Sequence, residues 1–223
     1  LPQGLDLWAV WGTDADDVWL SGASGTLLHF DGSQFVQVPT GTTEDLTGMH
    51  GGFVVGGNGI ALRLNGDVWA ATPTPTAAAL RDVWARSTDD ATAVSDDGEV
   101  LTWDGISWRI SYNTDHELLG VWGGWVVGDS TVLQNDGASW ISHSVAPDTR
   151  FIDVWGTGDD DVWIVGEHMP LDSFMPKLQV WHWDGITWRD QSPNVDSGAD
   201  YDGSGIEFAA IWSDEFGVPF LAT

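Results

Sequence analysis

The sequence predicts an all-β fold, a single β-propeller over residues 1–223 built from blades of about four antiparallel strands. Two observations support this prediction. A Trp-rich phrase recurs along the whole chain, and short β-branched runs alternate with Gly and Asp at regular spacing. A repeat of roughly 40 residues cannot bury its own apolar face, so neighbouring copies must stack. Four-stranded repeats of this period are typical of propeller blades.

Each repeat begins with a short apolar run that ends in an aromatic residue or a histidine, as in residues 7–12 (LWAVWG) and 151–156 (FIDVWG). Small and apolar residues suit the crowded axis of a propeller. We therefore expect this run to form the innermost strand of each blade, with its aromatic ring packed between neighbouring blades. Six copies begin near positions 7, 46, 80, 118, 151 and 208.

Five of the six repeats end with Asp-Gly or Asn-Gly and an aromatic residue four positions after the Asp or Asn. An Asp-Gly or Asn-Gly pair between two β-rich runs predicts a tight hairpin in which Gly adopts a positive φ. Six starts and five ends predict six blades, the last of which is incomplete or closed by the N-terminus. Five blades are the alternative. The five ends occupy residues 31–35, 65–69, 104–108, 136–140 and 184–188.

The repeats also alternate in the connection that follows the first strand. Repeats 1, 3 and 5 have a long acidic connection there, whereas repeats 2 and 4 have only a Gly-Gly pair. Repeat 5 is irregular, with an insertion at residues 168–177 and a long polar loop at residues 190–207. Long loops on a rigid scaffold often carry binding residues. We therefore expect function to be concentrated in repeat 5.

Composition excludes several classes of partner. There are 34 acidic residues against 7 basic ones, which gives a net charge of −27. Such a surface repels phosphate groups, so we expect neither nucleic acid nor an anionic membrane surface as a partner. No apolar run reaches the ~18 residues that a membrane helix needs, so we expect no membrane insertion. A divalent cation, high salt or a cationic partner complements this charge. The absence of cysteine excludes disulfides and thiolate catalysis.

The phrases VWGTGDDDVWIVG (154–166) and VWHWDGITW (180–188) resemble the Trp-rich DVWG…DVWxVG…HWDGxxW repeats of bacterial surface and secreted β-propellers. More distantly they resemble tectonin and tachylectin repeats. The resemblance covers residues 5–223 and implies an extracellular or outer-surface location. We therefore expect that a signal peptide has been removed from the chain. In the lectin relatives sugars bind in clefts between blades, which implies a possible glycan partner.

The sequence predicts a non-catalytic binding or scaffold module that recognises a protein or a glycan through one face of the propeller. No nucleophile elbow is present, and the arginines do not recur at one blade position. Paired carboxylates for glycoside hydrolysis cannot be singled out among so many acids. We therefore expect no enzyme activity. The alternatives are a secreted calcium- or copper-binding protein and a glycan-active hydrolase or lyase.

Candidate ligand-binding residues are the aromatic residues that do not recur by repeat and that lie outside the expected strands. They are Tyr112, Phe174 and Tyr201. Most of the 16 tryptophans do recur, so we expect them in the core. No cofactor is certain from the sequence, although calcium is possible because carboxylates are hard oxygen ligands. The candidate calcium ligands in the long loop of repeat 5 are Asp196, Asp200, Asp202 and Glu207.

Histidine and methionine also suggest a copper site in repeat 5, because both side chains suit Cu(I). Its candidate ligands are His168, Met169, Met175 and His182. The alternative is architectural, since His29 and His182 recur at one strand position. Asp17 and Asp161 both precede Val-Trp, and we expect each of them to cap its hairpin by bonding its own backbone.

Overall fold

The computed structural model describes residues 4–168, 176–193, 210–213 and 219–222, with only the backbone described in the last two segments. The chain forms two compact units, Leu1–Glu117 (unit 1) and Leu118–Thr223 (unit 2). Within these residues every sheet is an antiparallel meander, in which each strand pairs with the next along the chain. No helix in the described segments is both long and apolar enough to cross a bilayer. We call each four-stranded sheet a blade.

Unit 1 contains blades 1 to 3. Blade 1 consists of β1 (Leu7–Asp14), β2 (Asp17–Gly22), β3 (Leu27–Phe30) and β4 (Phe35–Gln37). Blade 2 consists of β5 (Leu46–His50), β6 (Phe53–Gly56), β7 (Ala61–Asn65) and β8 (Val68–Ala71). Blade 3 consists of β9 (Leu80–Ser87), β10 (Asp90–Ser95), β11 (Glu99–Trp103) and β12 (Trp108–Asn113). Short 3-10 turns follow β2 and β6, at Ala23–Gly25 and Gly57–Gly59.

Unit 2 contains blades 4 and 5 and one further hairpin. Blade 4 consists of β13 (Leu118–Trp122), β14 (Trp125–Gly128), β15 (Thr131–Asn135) and β16 (Trp140–Ser142). Blade 5 consists of β17 (Thr149–Gly158), β18 (Asp161–His168), β19 (Lys177–Trp183) and β20 (Trp188–Asp190). The last hairpin pairs β21 (Ala210–Ser213) with β22 (Pro219–Ala222).

All six predicted repeat starts coincide with the first strand of a sheet to within two residues. Five of these sheets are four-stranded, and the sixth start begins the two-stranded β21–β22 sheet among the described residues. The predicted alternation is also present. The first strands of blades 1, 3 and 5 have 8, 8 and 10 residues, whereas those of blades 2 and 4 have 5 each.

The first strands contact one another between neighbouring blades, β1 with β5 and β5 with β9 in unit 1, and β13 with β17 in unit 2. Their aromatic rings meet there, as the sequence predicts. His50 stacks on Trp84 with ring centroids 5.8 Å apart, and Trp122 lies 6.2 Å from Trp155. Burial lowers the pKa of His50, which favours the neutral ring whose Nδ1 accepts the Ala85 N–H at 3.0 Å.

The hydrophobic core of each unit lies between its blades. Side chains alternate along a strand, so each sheet presents one apolar set to the preceding blade and another to the following blade. Blade 2 contributes Phe53, Val55 and Ala61 to the cluster shared with blade 3. Blade 4 contributes Trp125, Val127 and Val132 to the cluster shared with blade 5. Each blade therefore depends on its neighbours to bury both of its faces.

The predicted Asp-Gly hairpins are present. The glycine has a positive φ between 61° and 90° in all five, Gly32, Gly66, Gly105, Gly137 and Gly185. In the four Asp-Gly turns the aspartate accepts the backbone N–H groups of the residues two and three positions later. Hydrogen bonds from the Ser33 hydroxyl and backbone lower the pKa of Asp31 to about 2. These carboxylates are thus committed to their turns.

A position can require glycine because its φ is positive or because another chain segment approaches too closely for a Cβ. Two glycines of blade 2 allow these two reasons to be distinguished. Gly59 has φ +67°, and a Cβ there would overlap the backbone oxygen of Thr76 in the connection to blade 3. Gly66 has φ +61°, but a Cβ there would meet no atom within 4 Å. Only the first position combines backbone strain with a close approach between chain segments.

We predict that Gly59→Ala destabilises the protein more than Gly66→Ala. Positive φ costs an L-residue about 1–2 kcal/mol, and this is all that Gly66→Ala should lose. Gly59→Ala should lose about 3 kcal/mol or more, because overpacking adds to the strain. Urea unfolding of the full chain, followed by tryptophan fluorescence, measures both losses. Equal losses would contradict the close approach at Gly59.

Candidate functional site

An open cleft of about 350 Å³ lies within unit 2, between blades 4 and 5 and near their outer strands. One wall is the β19–β20 hairpin of blade 5, and the other is the connection that follows β16 of blade 4. Six of its eight lining residues carry aromatic rings or aliphatic side chains on these two walls. The lining residues are His143, Ser144, Val145, Trp181, Trp183, Ile186, Thr187 and Trp188.

The base of the cleft is a packed group of aromatic rings. Trp125 is 2% exposed, and its ring lies 5.4 Å from Trp183 and 5.2 Å from Trp188, the latter edge-on. Trp183 and Trp188 are directly paired across β19–β20, with ring centroids 5.6 Å apart. His143 contacts Trp183 edge-on at 5.3 Å. Large rings that pack on one another in this way form a rigid apolar surface.

Trp181 distinguishes this cleft from every other contact between blades that the structure describes. The register of the third strand aligns it with a leucine in each of the other four blades. Those leucines are at most 1% exposed, whereas Trp181 is only half-buried. Blade 5 therefore exposes indole surface where the other blades are sealed. The aligned residues are Leu28, Leu62, Leu101 and Leu133.

Asp190 lies directly opposite Trp181 on the neighbouring strand. Directly paired residues of an antiparallel ladder share one face of the sheet, with Cβ atoms roughly 4.5–5.5 Å apart. The carboxylate of Asp190 is therefore on the same face as the indole, and it is exposed. One of its oxygens accepts the Ser192 N–H at 2.8 Å. The other blades have no acid at this position, where they carry Gln37, Ala71, Ile110 and Ser142.

His143 provides the imidazole on the blade 4 wall. Its Nε2 lies 3.0 Å from Oε1 of Gln134, and burial lowers the pKa of His143. The corresponding residue of blade 2 is Thr72, whose hydroxyl accepts the Trp108 indole N–H at 3.1 Å. The Trp188 indole N–H has no hydrogen-bond partner among the described residues. This is not peculiar to the cleft, since the same is true of Trp69.

Unit 1 contains a larger but chemically plainer cavity of about 520 Å³. It is lined by residues 37–43 together with Ser24 and Gly25, and none of these side chains is aromatic or charged. The hydroxyl of Thr40 already donates to Gly25 O at 2.9 Å. We therefore take the aromatic cleft of unit 2 as the candidate site.

The predicted ligand-binding aromatics do not line this cleft where they are described. Tyr112 lies on β12 of unit 1, opposite Val100, and is half-buried. Phe174 and Tyr201 lie outside the described residues. The predicted calcium ligands, Asp196, Asp200, Asp202 and Glu207, lie outside them as well, so that site stays a prediction.

The two described members of the predicted copper site are not brought together. His168 pairs with Lys177 at one end of β19, whereas His182 lies five residues further along that strand. Five residues of a β-strand span roughly 17 Å. Met169 and Met175 lie outside the described residues. Within the described segments no group of three or more His, Asp or Glu side chains is arranged to hold a metal ion.

His182 instead belongs to a hydrogen-bonded group that recurs in blades 1 and 5. Asp161 accepts from the hydroxyl of Thr157, from the Trp163 indole at 3.2 Å and from His182 Nε2 at 2.7 Å. His182 also stacks on Trp163 at 4.2 Å. Blade 1 has the same group in Thr13, Asp17, Trp19 and His29.

The expectation that Asp17 and Asp161 bond their own backbone is corrected by this geometry, since the observed partners are side chains. The indole two residues later lies on the same strand face as the carboxylate. The histidine lies on the facing strand, directly opposite that tryptophan. Both rings are therefore close enough to the carboxylate to donate their hydrogen bonds to it. The architectural interpretation of His29 and His182 agrees with these contacts.

Sequence reasoning missed Trp181 because it treated the tryptophans as a recurring set and did not align each of them with its counterparts. Trp183 and Trp188 do recur, as Trp103 and Trp108 in blade 3, where both are at most 6% exposed. Trp181 has no tryptophan counterpart. Alignment of the third strands alone would have revealed it, because the other four blades carry leucine at this position.

Comparison with known proteins identifies the fold. No protein-family model matches the chain, and no curated protein matches it. Similar solved structures include YCF48 bound to D1 peptide, with a TM-score of 0.61 and 15% identity over 99% of this chain and 91% of that chain. YCF48 from Cyanidioschyzon merolae has a TM-score of 0.56 and 15% identity over 85% and 86%. These are β-propeller proteins, so the likeness confirms the predicted all-β propeller fold.

We predict that Asp161→Asn reduces the loss of stability in acid. Burial raises the pKa of Asp161, but the hydrogen bonds from Thr157 and His182 outweigh it, so the net pKa is lowered. A carboxyl whose pKa is lower in the folded state stabilises the protein above its unfolded pKa of ~3.9. That contribution disappears as pH falls through the folded pKa.

Urea unfolding of the full chain between about pH 6 and pH 2 measures this dependence. The control is Asp159→Asn, which removes the same charge from the same exposed turn without touching the hydrogen-bonded group. Below about pH 4 the stability of Asp161→Asn should fall less steeply than that of Asp159→Asn. Parallel curves for the two variants would refute a lowered pKa at Asp161.

Proposed function

We propose that this protein is a non-catalytic recognition module that binds a peptide segment of a protein partner in the cleft between blades 4 and 5. The observation that carries this proposal is the cross-strand pair Trp181 and Asp190, which departs from the repeat at two facing positions. The other four blades carry a buried leucine and a neutral residue at these two positions. Blade 5 instead carries a half-buried indole and an exposed carboxylate. Exposed aromatic surface beside polar groups is typical of binding sites.

The structural likeness to YCF48 supports the choice of a peptide. One of the similar structures is YCF48 bound to D1 peptide, so a propeller of comparable architecture can serve as a peptide-binding platform. At 15% identity the likeness supports only the platform and not the partner. Which partner this chain binds must therefore follow from its own cleft.

The chemistry of the cleft favours binding over catalysis. Its side chains are mainly indoles and aliphatic groups, with the hydroxyls of Ser144 and Thr187. The imidazole of His143 bonds to the amide of Gln134 and not to a nucleophile or a second acid-base group. General acid-base and nucleophilic catalysis both require such a partner. The proposed location, extracellular or on the outer cell surface, rests on the resemblance of the repeats to secreted propellers.

A glycan is the second candidate ligand, because the half-buried indole of Trp181 can stack on a pyranose ring through its open surface while Asp190 accepts hydroxyl hydrogens. A peptide is favoured because the cleft is lined mainly by apolar side chains, with one exposed carboxylate, Asp190, directly opposite Trp181. Sugar recognition needs several polar groups directed at successive hydroxyls. The two ligands are distinguished experimentally by offering both to the same variants.

We predict that the full chain selects peptides from a random phage-displayed library and that Trp181→Leu abolishes the selection. Leucine is the residue of the other four blades, so this variant should fold while closing the exposed indole surface. Selected peptides should bind Trp181→Leu at least about tenfold more weakly, since aromatic anchors dominate such interfaces. Binding is measured by calorimetry, and a glycan array is run in parallel.

Two hairpin tips provide a matched control. Ile186 borders the cleft and is 85% exposed, whereas Ile106 occupies the same turn position in blade 3 and is 87% exposed. Ile186→Ala should weaken peptide binding several-fold, and Ile106→Ala should leave it unchanged. Peptides that bind Trp181→Leu as tightly as the native chain would refute this cleft as the site. Glycan binding without any peptide binding would refute the proposed protein partner.

A further inference from the structure

We infer that the cleft between blades 4 and 5 is a receptor for an arginine side chain of the partner, with the guanidinium over the Trp181–Trp183 wall and paired with Asp190. This inference rests on the proposed function and adds the chemical class of the residue that is recognised. A basic partner also complements the net charge of the chain, which is −27.

The first argument is the coincidence of two changes at one cross-strand pair. Blade 5 replaces the common leucine by Trp181 and replaces a neutral residue by Asp190, and these two positions are directly opposed. An indole face attracts a cation through its quadrupole, and a carboxylate attracts it through charge. A planar guanidinium can stack on the ring and donate to the carboxylate at the same time, which an ammonium does less well.

The second argument comes from the contact between blades 2 and 3, where the chain supplies such an arginine itself. The guanidinium carbon of Arg63 lies 5.6 Å from the centroid of the Trp103 ring and 5.9 Å from that of Phe53. Its Nη2 lies 3.3 Å from Oδ1 of Asp89. The contact between blades 2 and 3 thus already holds an arginine between aromatic rings and a carboxylate.

The corresponding contact between blades 4 and 5 lacks that internal arginine. Trp183 is the counterpart of Trp103, and Trp125 is the counterpart of Phe53. The position of Arg63, opposite Phe53, is occupied by Gln134, opposite Trp125. The aromatic wall is therefore repeated, while Arg63 is replaced by the shorter neutral Gln134, and His143 packs against the wall at 5.1 Å from Trp125 and 5.3 Å from Trp183.

The basic residue nearest in sequence does not compete for Asp190. Arg189 precedes it on β20 and pairs with His182, so it lies on the opposite face of the blade. Its Nη2 is 2.7 Å from Oδ2 of Asp184. The carboxylate of Asp190 accepts the Ser192 N–H through one oxygen. A bound guanidinium could share that oxygen or use the other. The excess of acid on the chain would also accelerate the approach of a basic segment.

The test uses three synthetic pentapeptides, Ac-Gly-Gly-Xaa-Gly-Gly-NH2, in which Xaa is arginine, lysine or citrulline. Citrulline keeps the shape of arginine and removes its charge. Titration of the full chain is followed through the indole N–H signals, and the Trp181 signal is assigned by its loss in Trp181→Leu. The arginine peptide should shift the Trp181 signal and bind about tenfold more tightly than the citrulline peptide, with lysine between them.

Two variants locate the charge. Asp190→Asn should weaken the arginine peptide several-fold and leave the citrulline peptide unchanged, whereas Asp67→Asn, which removes an equal charge from an exposed turn of unit 1, should have no effect. Gln134→Arg should supply the guanidinium internally, as Arg63 does, and should reduce binding of the arginine peptide. Failure of this variant to reduce binding would overturn the assignment of the aromatic wall.

The outcomes separate this inference from the proposed function. Equal affinity for arginine and citrulline, or an unchanged affinity in Asp190→Asn, overturns the arginine receptor. An arginine peptide that does not shift the Trp181 signal overturns it too. Library peptides that depend on Trp181 but show no arginine preference leave the recognition module standing without this inference. A library that yields no peptide refutes the module itself.

Discussion

Burial of both faces of every blade is the constraint on which the rest of this structure depends. A four-stranded sheet with two apolar faces is stable only when a neighbouring blade covers each face. The third strand shows how tight the requirement is, because four blades place a leucine at the same position and bury it almost completely. Trp181 is a larger side chain at that position, and it is only half-buried where it lines the open cleft.

The acidic turns are shaped by a related constraint, which is the need to satisfy polar groups at the ends of short strands. Asp17 and Asp161 each accept from a hydroxyl, an indole and an imidazole, while the turn aspartates accept backbone N–H groups. These carboxylates are hydrogen-bonded within their own blades. The abundance of aspartate near the turns therefore reflects hairpin architecture, and it does not in itself imply a bound cation. Asp190 differs because it lies opposite an indole that the neighbouring blade covers only in part.

The comparison between the two aromatic walls links packing to recognition. In unit 1 the wall at Trp103 is covered by Arg63, whose charge is balanced by Asp89. In unit 2 the equivalent wall at Trp183 faces Gln134, and the cleft is open to solvent. The two places share the aromatic wall but differ in the acid, because Asp89 pairs with Arg63 from the turn before β10, whereas Asp190 lies on β20 opposite Trp181. A repeat protein can acquire a binding site in this way, when one repeat lacks a side chain that covers the same surface in another repeat.

Much of the fold could be predicted from the sequence, because repeat starts, Asp-Gly hairpins and the alternation of acidic connections are local patterns that recur in register. The sequence also identified repeat 5 as the irregular one. Alignment of the third strands singles out Trp181, because the other four blades carry leucine there, but it does not show how far the neighbouring blade covers that indole. Only the tertiary structure decided that Trp181 is half-buried at an open cleft and that Asp190 lies directly opposite it. How far a side chain is buried depends on the neighbouring blade that packs against it, and the sequence of one strand does not specify that contact.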